Sequence, residues 1–191
     1  YGGFFAAVAS SILYARTAGI SFFLLGDLLS PSIALGHGIV RIGCFLNGCC
    51  YGRPAAWGVV FPNFHDGIPR QPTQLYEAAV GVALCLLLLA VDARADAAPR
   101  TGTLIREGPR KDATSAKRSP APVAAGRLLF LYVGLYGILR FLIEIVRDDD
   151  RGPRLLGATV SQVIGLACAT IGAAAWLSTR SRADEQRISS S

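Results

Sequence analysis

Four long apolar runs govern what this chain can fold into. They are FFLLGDLLSPSIALGHGIV (22–40), TQLYEAAVGVALCLLLLAV (73–91), LLFLYVGLYGILRFLIEIV (128–146) and GATVSQVIGLACATIGAAAWL (157–177). A shorter run, GGFFAAVASSILYA (2–15), precedes them. A helix needs about 20 mostly apolar residues to cross a bilayer. A lone span must satisfy its own backbone hydrogen bonds, which favours helices over open strands. The runs therefore predict an all-α, polytopic membrane helix bundle with five transmembrane helices, in one integral-membrane domain over 1–191. Composition agrees: charged residues make up 17% of the chain, against roughly 25% in soluble domains. Methionine is absent, so the chain is expected to begin inside a longer protein.

The segment 92–127, DARADAAPRTGTLIREGPRKDATSAKRSPAPVAAGR, is rich in Ala, Pro, Arg and Lys and poor in large apolar side chains. It reads as a disordered basic loop. The net charge of +6 raises a nucleic-acid partner, but no aromatic is interleaved with the loop's charge. No nucleic acid is expected. If the runs alternate sides, one side receives Arg16, this loop and the tail RSRADEQR, which is 12 of the 19 basic residues. The positive-inside rule makes that side cytoplasmic. The other side holds Arg41, Arg53, Arg70, Arg140, Arg147, Arg151 and Arg154, all arginine and none lysine. Arginine's planar fork suits bidentate phosphate binding.

Within 128–146 and just beyond, Tyr132, Tyr136, Arg140, Glu144 and Arg147 follow at spacings of four, four, four and three, so they share a helix face. Charge inside a span costs roughly 2.5–3.5 kcal/mol at mid-bilayer. One reading is a structural Arg140–Glu144 pair with Arg147 reaching to the interface. The other is a site for an anionic head group. His37 and Arg41 are four apart in the second run, and Asp27 lies about two turns deeper and is expected to make a structural contact. His37 is read either as a packing residue or as a functional one. The third run opens PRQPTQLYEAA (69–79), where Thr73 can cap the helix and Gln74 and Glu77 can share a face.

Between the second and third runs stands RIGCFLNGCCYGR (41–53). A structural zinc site needs four ligands, and His65 is the nearby candidate to join Cys44, Cys49 and Cys50. A redox pair would more usually read C-x-x-C. Close packing beside Gly43, Gly48 and Gly52 is the third reading. Cys85 and Cys168 lie in apolar runs and should pack as small hydrophobes.

Together these residues resemble the prolipoprotein diacylglyceryl transferase family. YGGF (1–4) resembles that family's His- or Tyr-Gly-Gly-Leu helix entry. RIGCFLNGCCYGR resembles its GRIGNFINGE…GR signature. PRQPTQLYEA resembles its PRHPSQLYE block, and YGILRFLIEIVRDDD its YG-x-x-RFxxExxRxPD block. Ser161-Gln162 fits its final helix. The resemblance places two further helices upstream of Tyr1, about seven in all. It implies transfer of the diacylglyceryl group of phosphatidylglycerol to a lipobox cysteine of a preprolipoprotein signal peptide. A thioether forms and glycerol phosphate leaves. It implies a multi-pass protein of the bacterial cytoplasmic (inner) membrane, working among membrane lipids, with its site toward the outer face. No cofactor and no metal are called for.

The catalytic residues it implies are Arg41, Arg140 and Tyr1, and the sequence itself adds His37 as a candidate. The head-group site would use Arg41, Asn47, Gly52, Tyr76, Glu77, Tyr136, Arg140, Glu144 and Arg147. Histidine often holds the Tyr1 position in the family, and tyrosine is a poor proton acceptor at neutral pH. His37 is suited to take the thiol proton instead, with Arg41 one turn away favouring its neutral form. Three positions depart from the family pattern: Cys44 stands for Asn, Cys49 for Glu and Gln71 for His. A phospholipid-binding protein without turnover is the alternative reading, and a thiol-redox membrane protein is the third.

Overall fold

A computed structural model describes residues 2–62, 66–95, 125–147, 154–155 and 158–189. They form five helices: α1 (Gly2–Ala18), α2 (Phe22–Leu46), α3 (Thr73–Ala95), α4 (Arg127–Val146) and α5 (Val160–Ser189). Four of these, α2 to α5, are long and apolar enough to cross a membrane. The fifth, α1, has 17 residues. Large apolar side chains point outward along all four spans, among them Leu28, Ile39, Leu86, Leu142 and Leu177. Water would penalise such a surface and lipid does not. The chain is a multi-pass membrane protein.

The buried core is small: Ala34, Leu84, Cys85, Leu88 and Leu128, flanked by Leu131, Tyr132, Leu135 and Leu139. Hydrocarbon offers little drive to bury more apolar surface, so helices associate through close backbone approach at small residues. At Gly81 of α3 an added Cβ would lie 2.8 Å from the Ala34 carbonyl and from the Gly38 backbone of α2. At Gly172 of α5 it would lie 2.4 Å from the Gly134 nitrogen of α4. The first contact fixes α2 on α3, and the second fixes α4 on α5. Asp27 makes the structural contact expected of it. Its carboxylate accepts the Gly126 and Leu129 N–H groups at 2.8 and 2.9 Å, so α2 caps the N-terminus of α4.

The connection between α2 and α3 is more ordered than its sequence suggested. It carries β1 (Pro54–Val59), and its start is sewn to the segment leading into α3 and to the end of α4. Gly52 N–H donates to the Gln71 carbonyl at 2.8 Å, and Arg53 N–H to the Val146 carbonyl at 3.1 Å. A minimal antiparallel pair, β2 (Arg154–Leu155) with β3 (Ala158–Thr159), precedes α5. The loop expected over 92–127 is shorter at its ends, because α3 runs on to Ala95 and α4 starts at Arg127. Residues 96–124 lie outside the described residues.

Candidate functional site

The Gly81–Gly38 contact sets one turn of α3 against the last turns of α2. Glu77 lies one turn before Gly81, and His37 and Arg41 bracket Gly38. The result is a single carboxylate shared by three basic side chains. Arg147 Nη1 donates to Glu77 Oε1 at 2.9 Å. Arg41 Nε lies 2.8 Å from Oε2, but its N–H is not aligned on that oxygen, so the contact is a charge pair. His37 Nε2 is 3.5 Å from the same oxygen. Glu77 is buried, at 2% exposure, as is Arg147, at 5%. Arg147 therefore turns inward; it does not reach to the interface.

Helix α4 supplies the second group. Arg140 Nη2 lies 2.9 Å from Glu144 Oε2 and donates to Ser161 Oγ at 3.0 Å. Thr159 Oγ1 donates to Glu144 Oε1 at 3.0 Å. Thr159 and Gln162 also form a capping box. Thr159 N–H donates to Gln162 Oε1 at 2.9 Å, and Gln162 N–H to Thr159 Oγ1 at 3.2 Å. The start of α5 is thus built as a shelf under Arg140 and Glu144. One donor stays unused: Arg140 Nη1 is buried with no hydrogen-bond partner among the described residues.

These groups meet at a narrow cleft lined by Ala34, His37, Glu77, Val80, Leu84, Tyr132, Tyr136, Leu139, Arg140 and Ile143. The Tyr136 ring stands edge-on to His37, centroids 5.2 Å apart, and stacks on Tyr132 at 5.8 Å. The cleft is an apolar slot with one arginine, one imidazole, one carboxylate and two phenols on its walls. That composition suits an amphiphile with an anionic head.

Beside the cleft, Cys44, Cys49 and Cys50 form a tight elbow whose three sulfur atoms all lie within 4.8 Å of one another. Gly48 makes the turn at φ 68°, and Cys50 is itself left-handed at φ 65°, a costly conformation for a residue with a side chain. The elbow is held from α3. Gln74 Nε2 donates to the Cys49 carbonyl at 2.6 Å, and Thr73 Oγ1 to the Cys50 carbonyl at 2.9 Å. Thr73 thus anchors the elbow in place of capping its own helix. Burial pushes the Cys50 thiol up, but hydrogen bonds with Arg147 and Cys49 and the charges of Arg147 and Arg41 outweigh it. The net effect holds Cys50 below the ordinary thiol range.

The other expected site residues are scattered. Asn47 is exposed and ends α2, its N–H on the Gly43 carbonyl at 2.9 Å. Gly52 has no room for a side chain, since an added Cβ would lie 2.7 Å from Thr73 Cγ2 and 2.9 Å from the Val146 carbonyl. Tyr76 packs toward Trp57, centroids 6.4 Å apart, and does not line the cleft. Tyr1 and His65 lie outside the described residues. Arg70, one of the seven arginines, pairs with Asp66 at 2.7 Å. Its hydrogen bonds pull that carboxyl down to about 2. Thr73, Gln74, Thr159 and Ser161 support the site without having been assigned to it. Of these, only Thr159 carries a local signature, the T-x-x-Q capping-box spacing that it makes with Gln162.

The sequence profile described as prolipoprotein diacylglyceryl transferase matches residues 1–106 and 113–178. The chain is 33% identical over 164 residues to the phosphatidylglycerol–prolipoprotein diacylglyceryl transferase of Geobacter sulfurreducens, covering 84% of this chain and 52% of that one. It is 31% identical over 184 residues to the protein of that name from Bordetella parapertussis, covering 94% and 60%. With the one from Rhodospirillum centenum the identity is 35% over 179 residues, covering 90% and 56%. The chain thus spans between half and three-fifths of the length of these curated relatives. The apolar spans, the arginine-lined cleft and a profile match along nearly the whole sequence agree, and the chain belongs to the prolipoprotein diacylglyceryl transferase family.

Proposed function

We propose that the protein containing this chain transfers the diacylglyceryl group of phosphatidylglycerol to the lipobox cysteine thiol of a preprolipoprotein. The observation that carries this is Arg140, a cleft-lining guanidinium with a buried donor left unused. The phosphate of the head group accepts from Arg140 Nη1, while the acyl chains follow the apolar walls toward the exposed faces of α2 and α4. Arg41, held against Glu77, adds a second positive charge. The acceptor sulfur attacks the glyceryl carbon, the carbon–oxygen bond to phosphate breaks, and glycerol phosphate leaves with the electron pair. Fixed cations stabilise the charge that grows on the leaving oxygens. His37, positioned by Glu77 and Tyr136, takes the thiol proton. Glu144 and Ser161 keep Arg140 in place.

The relatives' names support this choice of lipid and acceptor. The excess of basic residues at the opposite end of the spans, 12 of 19, supports a site toward the outer face of the bacterial cytoplasmic membrane. The test is turnover of phosphatidylglycerol with a lipobox peptide by the full-length protein. A thioether-linked diacylglyceryl peptide and free glycerol phosphate should appear in equal amounts. Head-group binding without thioether formation would overturn the reading.

A further inference from the structure

The thiols of Cys44, Cys49 and Cys50 are gathered beside the proposed site. We infer that Cys44, Cys49 and Cys50 together hold one Zn²⁺ ion, with no fourth ligand among the described residues and that position taken by the acceptor cysteine thiol. The second half of this inference rests on the transferase reading, and the first half does not.

The geometry asks little of the protein. Zn–thiolate bonds of about 2.3 Å put the sulfurs of a tetrahedral site roughly 3.8 Å apart. The three sulfurs here already lie within 4.8 Å of one another, all are free thiols, and none is sealed in the core. The backbone that carries them is fixed, since Gln74 and Thr73 pin the carbonyls of Cys49 and Cys50. Cys50 is held in a left-handed conformation that costs energy, and such strain gathers at ligand clamps. Three thiolates on Zn²⁺ leave one net negative charge. Arg147, hydrogen-bonded to Cys50, and Arg41, whose charge reaches Cys44 and Cys50, stand ready to balance it. Among the described residues no fourth ligand joins them; three protein ligands with an open position is the arrangement of catalytic zinc, whereas structural zinc is closed by four.

A fourth position filled by the acceptor fits the reaction. A thiol that coordinates zinc loses its proton, so the acceptor sulfur would arrive as a thiolate. His37 lies seven residues before Cys44 on the same face of α2, about 10 Å along the axis. The proton passes to it through water. The bound sulfur then forms its bond to the glyceryl carbon, glycerol phosphate departs, and the neutral thioether, a poorer ligand, leaves the metal.

The test begins with metal alone. The full-length protein, purified in detergent, should bind one Zn²⁺ per chain. Co²⁺ in its place should give the sulfur-to-metal charge-transfer bands of a thiolate site. Cys44→Ser, Cys49→Ser and Cys50→Ser should each lose stoichiometric binding, and Cys168→Ser should keep it. In the unsubstituted protein, Zn²⁺ should shield the three thiols from alkylation and a chelator should expose them, so the result does not depend on the variants folding. Adding a lipobox peptide should then shift the Co²⁺ spectrum toward four sulfur ligands, and its Cys→Ser counterpart should not. Absence of bound metal, or a disulfide within the cluster, overturns the site. Bound metal with no spectral response to the thiol peptide overturns the open position. A spectral shift without thioether formation keeps the metal site and sinks the transferase reading instead.

Discussion

Glu77 holds Arg147 and Arg41 with one carboxylate, at 2.9 and 2.8 Å, and Arg147's side chain is 1% exposed. Removing one partner of a buried ion pair strands the other, at a cost of about 3–5 kcal/mol. Glu77→Gln should therefore lower unfolding stability in detergent by that amount, and an unchanged melting profile would show that the arginines do not need it. Arg41→Lys and Arg140→Lys pose a different question. Lysine keeps the charge and loses the fork, so both proteins should insert and fold while turnover falls about 100-fold, the scale of one lost transition-state donor. Near-normal rates in both would remove phosphate clamping from these residues. His37→Gln should slow turnover while the protein still folds. If the rate persists, His37 is a packing residue and the base lies elsewhere. The stripe Tyr132, Tyr136, Arg140 and Glu144 was legible in the sequence because helical spacing alone places it. Arg147 was not. It ends α4 in extended conformation, φ −80° and ψ 151°, so the helical face cannot be carried one residue further. The hub role of Glu77 was also hidden, since its partners lie 36 to 70 positions away.

At the scale of elements, two glycine contacts decide where the polar residues meet. Gly81 touches backbone atoms of α2 that cannot rotate aside. Gly81→Ala should force α2 and α3 apart, cost about 1–3 kcal/mol as other overpacked sites do, and reduce turnover by separating His37 and Arg41 from Glu77. Gly36→Ala is the matched control. It lies in the same region of α2, and an added Cβ there meets nothing within 4 Å. Thermal unfolding and turnover of both variants check this, and equal behaviour would show that the close approach does not set the site. The helices themselves could be read from the apolar runs, because span length follows from bilayer thickness. Which glycine faces which helix could not, because small residues recur along every span and only the packed bundle selects a pair. The ordered connection around β1 was also unreadable. Its hydrogen bonds run to Gln71 and Val146, partners that no local pattern names.

For the whole molecule, the charge pattern makes a prediction of sidedness that can be checked. Helices α2 to α5 are joined in turn, so the α1–α2 junction, the 96–124 connection and the C-terminal end of α5 share one side of the membrane. That side carries 12 of the 19 basic residues, and lysine and arginine near span ends are retained in the cytoplasm. The opposite side carries the cysteine elbow, the cleft mouth and the remaining arginines. Six basic residues fall within 96–124, which makes that connection readily cleaved by trypsin wherever trypsin can reach it. Trypsin added outside sealed spheroplasts should leave it intact, and trypsin added to inverted vesicles should cut it. The cleft is built from α2, α3 and α4, and Arg140 is braced from the start of α5. The charged groups of the cleft, His37, Glu77 and Arg140, lie toward the other end of the spans. Replacing 96–124 with a short Gly-Ser linker should therefore preserve turnover within about twofold, since sites this far apart without shared partners behave independently. Cleavage from the outer face would invert the topology and place the cleft on the cytoplasmic side, where a translocated lipobox cysteine does not arrive.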